Sequence, residues 1–272
     1  MQSNRIQIFS ELVSLEAWHL PFTARRTSVG LHADITFSTA RLGSEADCPV
    51  RFKMRLKQAQ LAVVVPETEA LIVDRSSVAR FDATISGVRK VRASKRLKSD
   101  VSGGVAIKGA ASGISASANA TANAAAATEL SQETTLTTKF ESIMVRHSLD
   151  RDGNDRWLFT PSTETTLEGK PWAAVDTPLM KLRDAEAGGK RKLEPSVRLE
   201  LTCFREDLDI FDIELKDRGR IPLANLKSPK RLIAAEAYIR TRLEAEGLPA
   251  PLMSDGFAQI TLARVNSIEG GW

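Results

Sequence analysis

The sequence predicts a β-rich α+β fold: an antiparallel sheet or sandwich, one C-terminal helix, and a long small-residue hairpin or bulged strand. Three observations carry this expectation. Apolar residues recur at alternate positions through most of the chain, the pattern that sends one face of a pleated strand to a core and the other to water. Only the stretch 228–246 combines helical spacing with capping residues at both ends. Finally, a tract of Ala, Ser, Gly, Asn and Thr from Val101 to Ala127 follows directly on the densest basic cluster of the chain.

The amino-terminal stretch Ile6 to Leu15 fits a helix or a strand. Val29, Leu31, Ala33, Ile35 and Phe37 alternate with Gly30, His32, Asp34, Thr36 and Ser38, as in a half-buried strand. The clearest alternation sets Val50, Phe52, Met54 and Leu56 against Arg51, Lys53, Arg55 and Lys57, so one face is core and the other a basic row. It runs on through Ala59, Leu61, Val63 and Val65 to Pro66, which has no amide proton for a ladder and ends a strand or bent strand pair. Leu71 to Val73 predicts another strand.

Asp152, Gly153 and Asn154 supply turn residues, so Ile143–Ser148 and Trp157–Thr160 form a hairpin. Pro161 to Pro195, with its prolines, Gly188-Gly189 and Lys190-Arg191-Lys192, predicts a long irregular connection with a short helical turn near Leu179 to Ala187. Val197, Leu199, Leu201 and Cys203 then alternate as a strand, and Leu208 to Leu215 is its expected neighbour. Ser228, Pro229 and Gly247 bracket the helix, whose predicted buried stripe is Leu232, Ile233, Ala235, Ile239 and Leu243. Phe257, Ile260, Leu262 and Val265 predict a final strand.

With 272 residues, 42% hydrophobic and 26% charged, the chain has the composition of an ordinary globular protein rather than a collagen-like or disordered one. At roughly 100–200 residues per domain this means one large domain or two small ones. Residues 1–88 and 129–272 are expected to complete one β-rich core, with 89–128 between them. Glu11 and Glu16 interrupt the apolar start, so it does not resemble a secretory signal, and no 18 strongly apolar residues run together. A soluble cytoplasmic protein is the expectation. Cys48 and Cys203 lack paired metal or redox spacing, which points to a reduced chain and leaves one long-range disulfide open as the alternative.

The net charge of +4 is concentrated before residue 129, above all at Arg89, Lys90, Arg92, Lys95, Arg96 and Lys98. Such density attracts phosphate, an anionic membrane or an acidic partner, and equally describes a solvated strand face. Arg51, Lys53, Arg55 and Lys57 form a secondary basic row. In the tract, Val101, Val105, Ile107, Gly109 and Gly113 occupy odd positions, whereas Ile114, Ala116, Ala118, Ala120 and Ala122 occupy even ones. The phase slips at Gly113, where a bulge or turn accommodates one extra residue. Strand, helix and flexible linker remain open for this segment. If ordered, its tiny side chains gain contacts only where another backbone comes close, which favours an assembly surface.

Two further functions follow from the same residues. The alternation resembles, in general style, the insertion hairpins of β-pore-forming proteins, and this implies membrane insertion after adsorption of the basic cluster to anionic lipid. Against it, the lipid-facing row would be alanine and glycine without an aromatic girdle. Non-specific nucleic-acid binding through both basic sets is the third class, with Tyr238 as the sole tyrosine and few stacking platforms.

Enzymatic signals are weak. His19, His32 and His147 have no i, i+4 partner, so they read as packed or surface histidines and no metal is predicted. Gly104 to Gly109 has P-loop glycine spacing, but Ala110 and Ala111 stand where Lys and Ser or Thr belong. Gly113-Ile-Ser115-Ala-Ser117 fails the nucleophile-elbow pattern at its last position. Glu206, Asp207, Asp209, Asp212, Glu214 and Asp217 lack a calcium-loop glycine and predict a solvated strand edge. The expectation is therefore a non-enzymatic protein without cofactor or small-molecule substrate, associating with itself or another protein through the tract.

Overall fold

The computed structural model describes residues 5–23, 25–45, 48–66, 69–81, 143–162, 164–185, 195–215 and 228–269. Their strands form three sheets. The first has six strands in the order β1 (Arg5–Gln7), β13 (Gln259–Asn266), β11 (Arg198–Phe204), β6 (Ala59–Val64), β9 (Asp155–Pro161) and β8 (Ile143–Leu149). The second has five, β14 (Ile268–Glu269), β2 (Val13–His19), β3 (Ser28–Phe37), β10 (Met180–Asp184) and β7 (Leu71–Asp74). The third is β12 (Leu208–Leu215), β5 (Val50–Leu56) and β4 (Ala40–Leu42). Pairing is antiparallel except for β14 on β2. With the helix α1 (Ser228–Ala245), this is the β-rich α+β fold.

Alternation decides which faces meet. Val29, Leu31, Ala33, Ile35 and Phe37 of β3 are buried, as are Trp157 and Phe159 of β9. The Phe37 and Phe159 rings meet at 5.4 Å between centroids, so the first two sheets share one core. The apolar positions change parity between Leu56 and Ala59, and the chain turns a corner there, because β5 belongs to the third sheet and β6 to the first. Lys57 and Gln58, both exposed, lie between them, and this two-residue step lets the apolar side chains of both pieces point to the shared core.

The turn between β8 and β9 forms where its residues predict it. The Asp150 carboxylate accepts from the Asp152 amide at 2.9 Å, the Asn154 amide at 2.8 Å and the Asn154 side chain at 2.9 Å. Burial acts to raise the Asp150 pKa, but these donors outweigh it and hold the carboxyl below its ordinary value. Gly153 takes φ +80°, a conformation that other L-residues rarely adopt.

Five expectations need correction. Leu208–Leu215 is not the neighbour of the strand before it: β12 pairs with β5 in the third sheet, whereas β11 lies between β13 and β6, because the 3-10 turn Arg205–Asp207 carries the chain out of the first sheet. Where the sequence predicts a helical turn near Leu179 to Ala187, the described residues up to 185 contain a strand instead: Met180 and Leu182 are buried while Lys181 and Arg183 are exposed, and β10 bonds to β3 on one side and β7 on the other. Ile6 to Leu15 is neither one helix nor one strand. Phe9 and Leu12 are buried in a turn that passes the chain from β1 in the first sheet to β2 in the second. Phe257 lies outside β13 and is 74% exposed, its amide bonded to the Asp255 carboxylate. Ile233 is 62% exposed, because the face of α1 that packs on β5 and β12 is set by Ala235, Ile239 and Leu243. The expected small-residue hairpin lies outside the described residues.

The end of α1 follows the sequence reading. Gly247 adopts φ +67° and donates to Glu244, and the Leu248 amide closes back on the Leu243 carbonyl at 3.0 Å. Leu243→Ala empties a wholly buried site beneath this cap, and urea unfolding should show a loss of about 2–5 kcal/mol.

Candidate functional site

The secondary basic row lies where the alternation places it, on the outer face of β5, but it does not stand alone. Strand β12 aligns Asp209 with Arg55, Phe211 with Lys53 and Glu214 with Arg51. Arg55 bonds Asp209 at 2.7 Å and Lys53 bonds Asp212 at 2.7 Å. Lys57 donates to the Glu206 carbonyl at 3.3 Å, and the Phe211 ring lies 4.6 Å from the Arg55 guanidinium and 5.9 Å from the Lys53 ammonium. The bulge after Phe211, with Asp212 at φ 50°, brings that carboxylate to Lys53. The acidic string is thus a strand edge among the described residues and also the counter-charge of the basic row. Exposed pairs of this kind contribute only about 0–1 kcal/mol each to stability, yet they cancel the field an anionic ligand would feel.

A second group of cations is arranged differently. Asp74, at the end of β7, accepts from the Ser76 hydroxyl at 2.6 Å and from Arg183 at 2.8 Å, bonds that hold its carboxyl below the usual range. This caps a single 3-10 turn, Arg75–Ser77, and carries the Arg75 guanidinium toward β9. There Arg75 bonds one oxygen of Asp155 at 2.9 Å and the Gly153 carbonyl at 3.2 Å. The other Asp155 oxygen meets Nε2 of His147 at 2.9 Å. An ionised carboxylate only accepts, so the imidazole donates from Nε2.

The Asp155 side chain is 4% exposed and that of His147 13%. The His147 ring packs on Trp157 at 5.3 Å. These residues line a cleft of about 680 Å³ whose other walls include Val78, Phe81 and Val145, with Arg80 and Arg146 beside them. Phe81 stacks on Trp172 at 4.9 Å, Trp172 donates to the Ala33 carbonyl at 2.9 Å, and Trp157 donates to the Ala79 carbonyl at 2.9 Å. Chemically the group is a positioning device: both Asp155 oxygens are engaged. Ser148, adjacent in sequence, falls on the opposite face of β8, where its hydroxyl accepts from Arg156 at 3.3 Å.

Comparison with family models, curated proteins and solved structures returns no match.

Of the residues singled out from the sequence, Arg51, Lys53 and Arg55 share one face of β5, and Lys57 follows the strand and bonds the Glu206 carbonyl. Arg89 to Lys98 and Val101 to Ala122 lie outside the described residues. His19 and His32 are packed: His19 is 1% exposed beside Phe22, and His32 stacks on Trp18 at 5.4 Å and bonds the Ala174 carbonyl. No group of metal-binding side chains occurs among the described residues, and Cys48 and Cys203 are free and buried. The Arg75–Asp155–His147 group is absent from the sequence reading, although one signal for it exists. Within the predicted hairpin His147 faces Trp157, and parity puts Asp155 on the same face one diagonal away.

Asp155→Ala should leave the His147 donor unpaired in a nearly closed site. The expected result is a loss of about 1–3 kcal/mol in urea unfolding, with Asp155→Asn losing less because it still accepts one bond.

Proposed function

We propose that the protein acts by association, with the β-rich body presenting the segment 82–142 and its Val101–Ala127 tract as the contact surface for a second copy or another protein. The observation that supports this reading is the place where the chain leaves and rejoins the body. Phe81, the last described residue before the segment, and Val145, close after it, line the same cleft. Residue 79 is tied on both sides, its amide to the Leu179 carbonyl at 2.7 Å and its carbonyl to Trp157. Elements before and after the segment form one unit, so the segment is an excursion from a finished core rather than a link between two cores. The conformational entropy of ordering the body is offset by that core, leaving the tract available for contacts elsewhere. Free buried thiols fit a reducing cytoplasmic setting, and association requires neither cofactor nor substrate.

Insertion into anionic membrane is the second reading, favoured by the position of Arg89, Lys90, Arg92, Lys95, Arg96 and Lys98 directly before the tract in the same excursion. No helix among the described residues is long and apolar enough to cross a membrane, which leaves strand insertion untouched. Nucleic acid is the weaker partner here, since the Lys53 and Arg55 charges are already met by Asp212 and Asp209.

Light scattering after size exclusion tests the reading. The intact chain should run as a defined multiple of 29.7 kDa, and deletion of 101–127 should give a monomer with unchanged thermal unfolding of the body. A monomer in both preparations would overturn association with a second copy. Dye release from anionic but not neutral vesicles, lost on charge reversal of the six basic residues, would establish insertion in its place.

A further inference from the structure

We propose that the outer face of the first sheet adsorbs to an anionic phospholipid bilayer through Arg146, Arg156 and Arg198. Strand parity places these residues on one surface. Val145 of β8, Trp157 of β9, Leu61 of β6 and Leu199 of β11 are buried in the core, so the alternate positions of the same strands share the opposite face. Register then aligns them. Arg156 lies opposite Ser148 on β8 and Ala62 on β6, Ala62 lies opposite Glu200 on β11, and Glu200 lies opposite Arg264 on β13. Arg146 and Arg198 flank this row, opposite Leu158 and Val64. At about 4.8 Å per strand, Arg146 and Arg264 stand four strand spacings, about 19 Å, apart across the face.

The charges on this face are unbalanced. The six strands contain two acidic residues, Glu200 and Asp155, and the Asp155 side chain turns to the other face, toward Arg75 and His147. Glu200 accepts from Arg264 at 2.8 Å. The side-chain bonds of Arg156 go to neutral oxygens, those of Ser148 at 3.3 Å and Gln60 at 3.2 Å. Arg146 and Arg198 are exposed and form no ion pair among the described residues. The Asp150 carboxylate in the adjoining turn is taken up by the amides of Asp152 and Asn154. On β5, by contrast, the cations meet Asp209 and Asp212. Guanidiniums without carboxylates, spread over the broad face of a sheet, match a surface that carries many separate negative charges, as a bilayer of anionic phospholipid does. The neighbours of the arginines favour lipid over nucleic acid. Leu158, Ala62 and Val64 lie in register with them and no aromatic ring does, so unstacked bases find no platform. The grooves of a duplex admit a helix or a two-stranded ribbon rather than the face of a six-stranded sheet.

Flotation of the full chain with phosphatidylcholine vesicles, with and without phosphatidylserine, reads the adsorption. Binding should require phosphatidylserine and weaken as salt rises. The double variant R146Q/R198Q, made at exposed positions, should weaken it about tenfold or more with urea unfolding unchanged, since each basic side chain near an anionic surface contributes about fivefold. R146K/R198K should keep the binding, because a bilayer attracts the charge and not the planar fork of the guanidinium. K53Q, made where Asp212 already meets the charge, should keep it too. Absence of binding to phosphatidylserine vesicles, equal binding to phosphatidylcholine alone, unchanged binding in R146Q/R198Q, or loss in R146K/R198K would overturn the proposal. Retention of single-stranded DNA that is lost in R146Q/R198Q, with no vesicle binding, would overturn it in favour of nucleic acid. The deletion of 101–127 should still float with the vesicles, so the outcome is independent of association or insertion through that tract.

Discussion

The indole of Trp157 connects the two large sheets. It is wholly buried, it belongs to β9 in the first sheet, and its single polar atom donates to the carbonyl of Ala79 in the chain that leaves the second. A buried indole N–H without a partner is unfavourable, so the chain after β7 must pass at hydrogen-bond distance from β9. From that constraint follow the positions of Val78 and Phe81, the stack of Phe81 on Trp172 and the contact of Phe159 with Trp172 at 5.6 Å. The cleft is the space left between this anchored segment and β8.

Electrostatics distinguishes two surfaces that look alike as sequence. Each offers several cations on or near an edge strand. On β5 the neighbouring strand returns the opposite charges in register, so Lys53 and Arg55 find carboxylates at 2.7 Å and their field is short-ranged. At β8 the buried Asp155 is spent on Arg75 and His147, leaving Arg80 and Arg146 without such a partner among the described residues. The pairing is decided by strand register and not by local charge density.

The body and its excursion divide the physical work. A core that includes Trp157, Phe37, Phe52 and Phe159 supplies the burial that offsets chain entropy. A tract of alanine, serine and glycine supplies very little burial of its own and gains only where a second surface comes close.

The sequence by itself determined the strands β3, β5, β6, β7, β8, β9, β11, β12 and β13, because alternation of apolar and polar residues is a property of neighbours along the chain and one buried face enforces it. The β8–β9 turn was legible for the same reason, since Asp152, Gly153 and Asn154 sit inside the turn, as was the helix end at Gly247. The tertiary structure decided what depends on partners far away in sequence. The change of parity between Leu56 and Ala59 marks a break, but that its two sides belong to different sheets depends on distant partners, β4 and β12 for β5 and β9 and β11 for β6. Ile233 satisfies the helical spacing yet stays 62% exposed, since the docking angle of α1 on β5 and β12 selects the stripe. Lys181 and Arg183 obscured β10, whose flanking strands come from residues about β3 and β7. Parity could bring His147 to Asp155 within one hairpin, but Arg75 reaches them only because β7 and β9, in different sheets, are held together through the core.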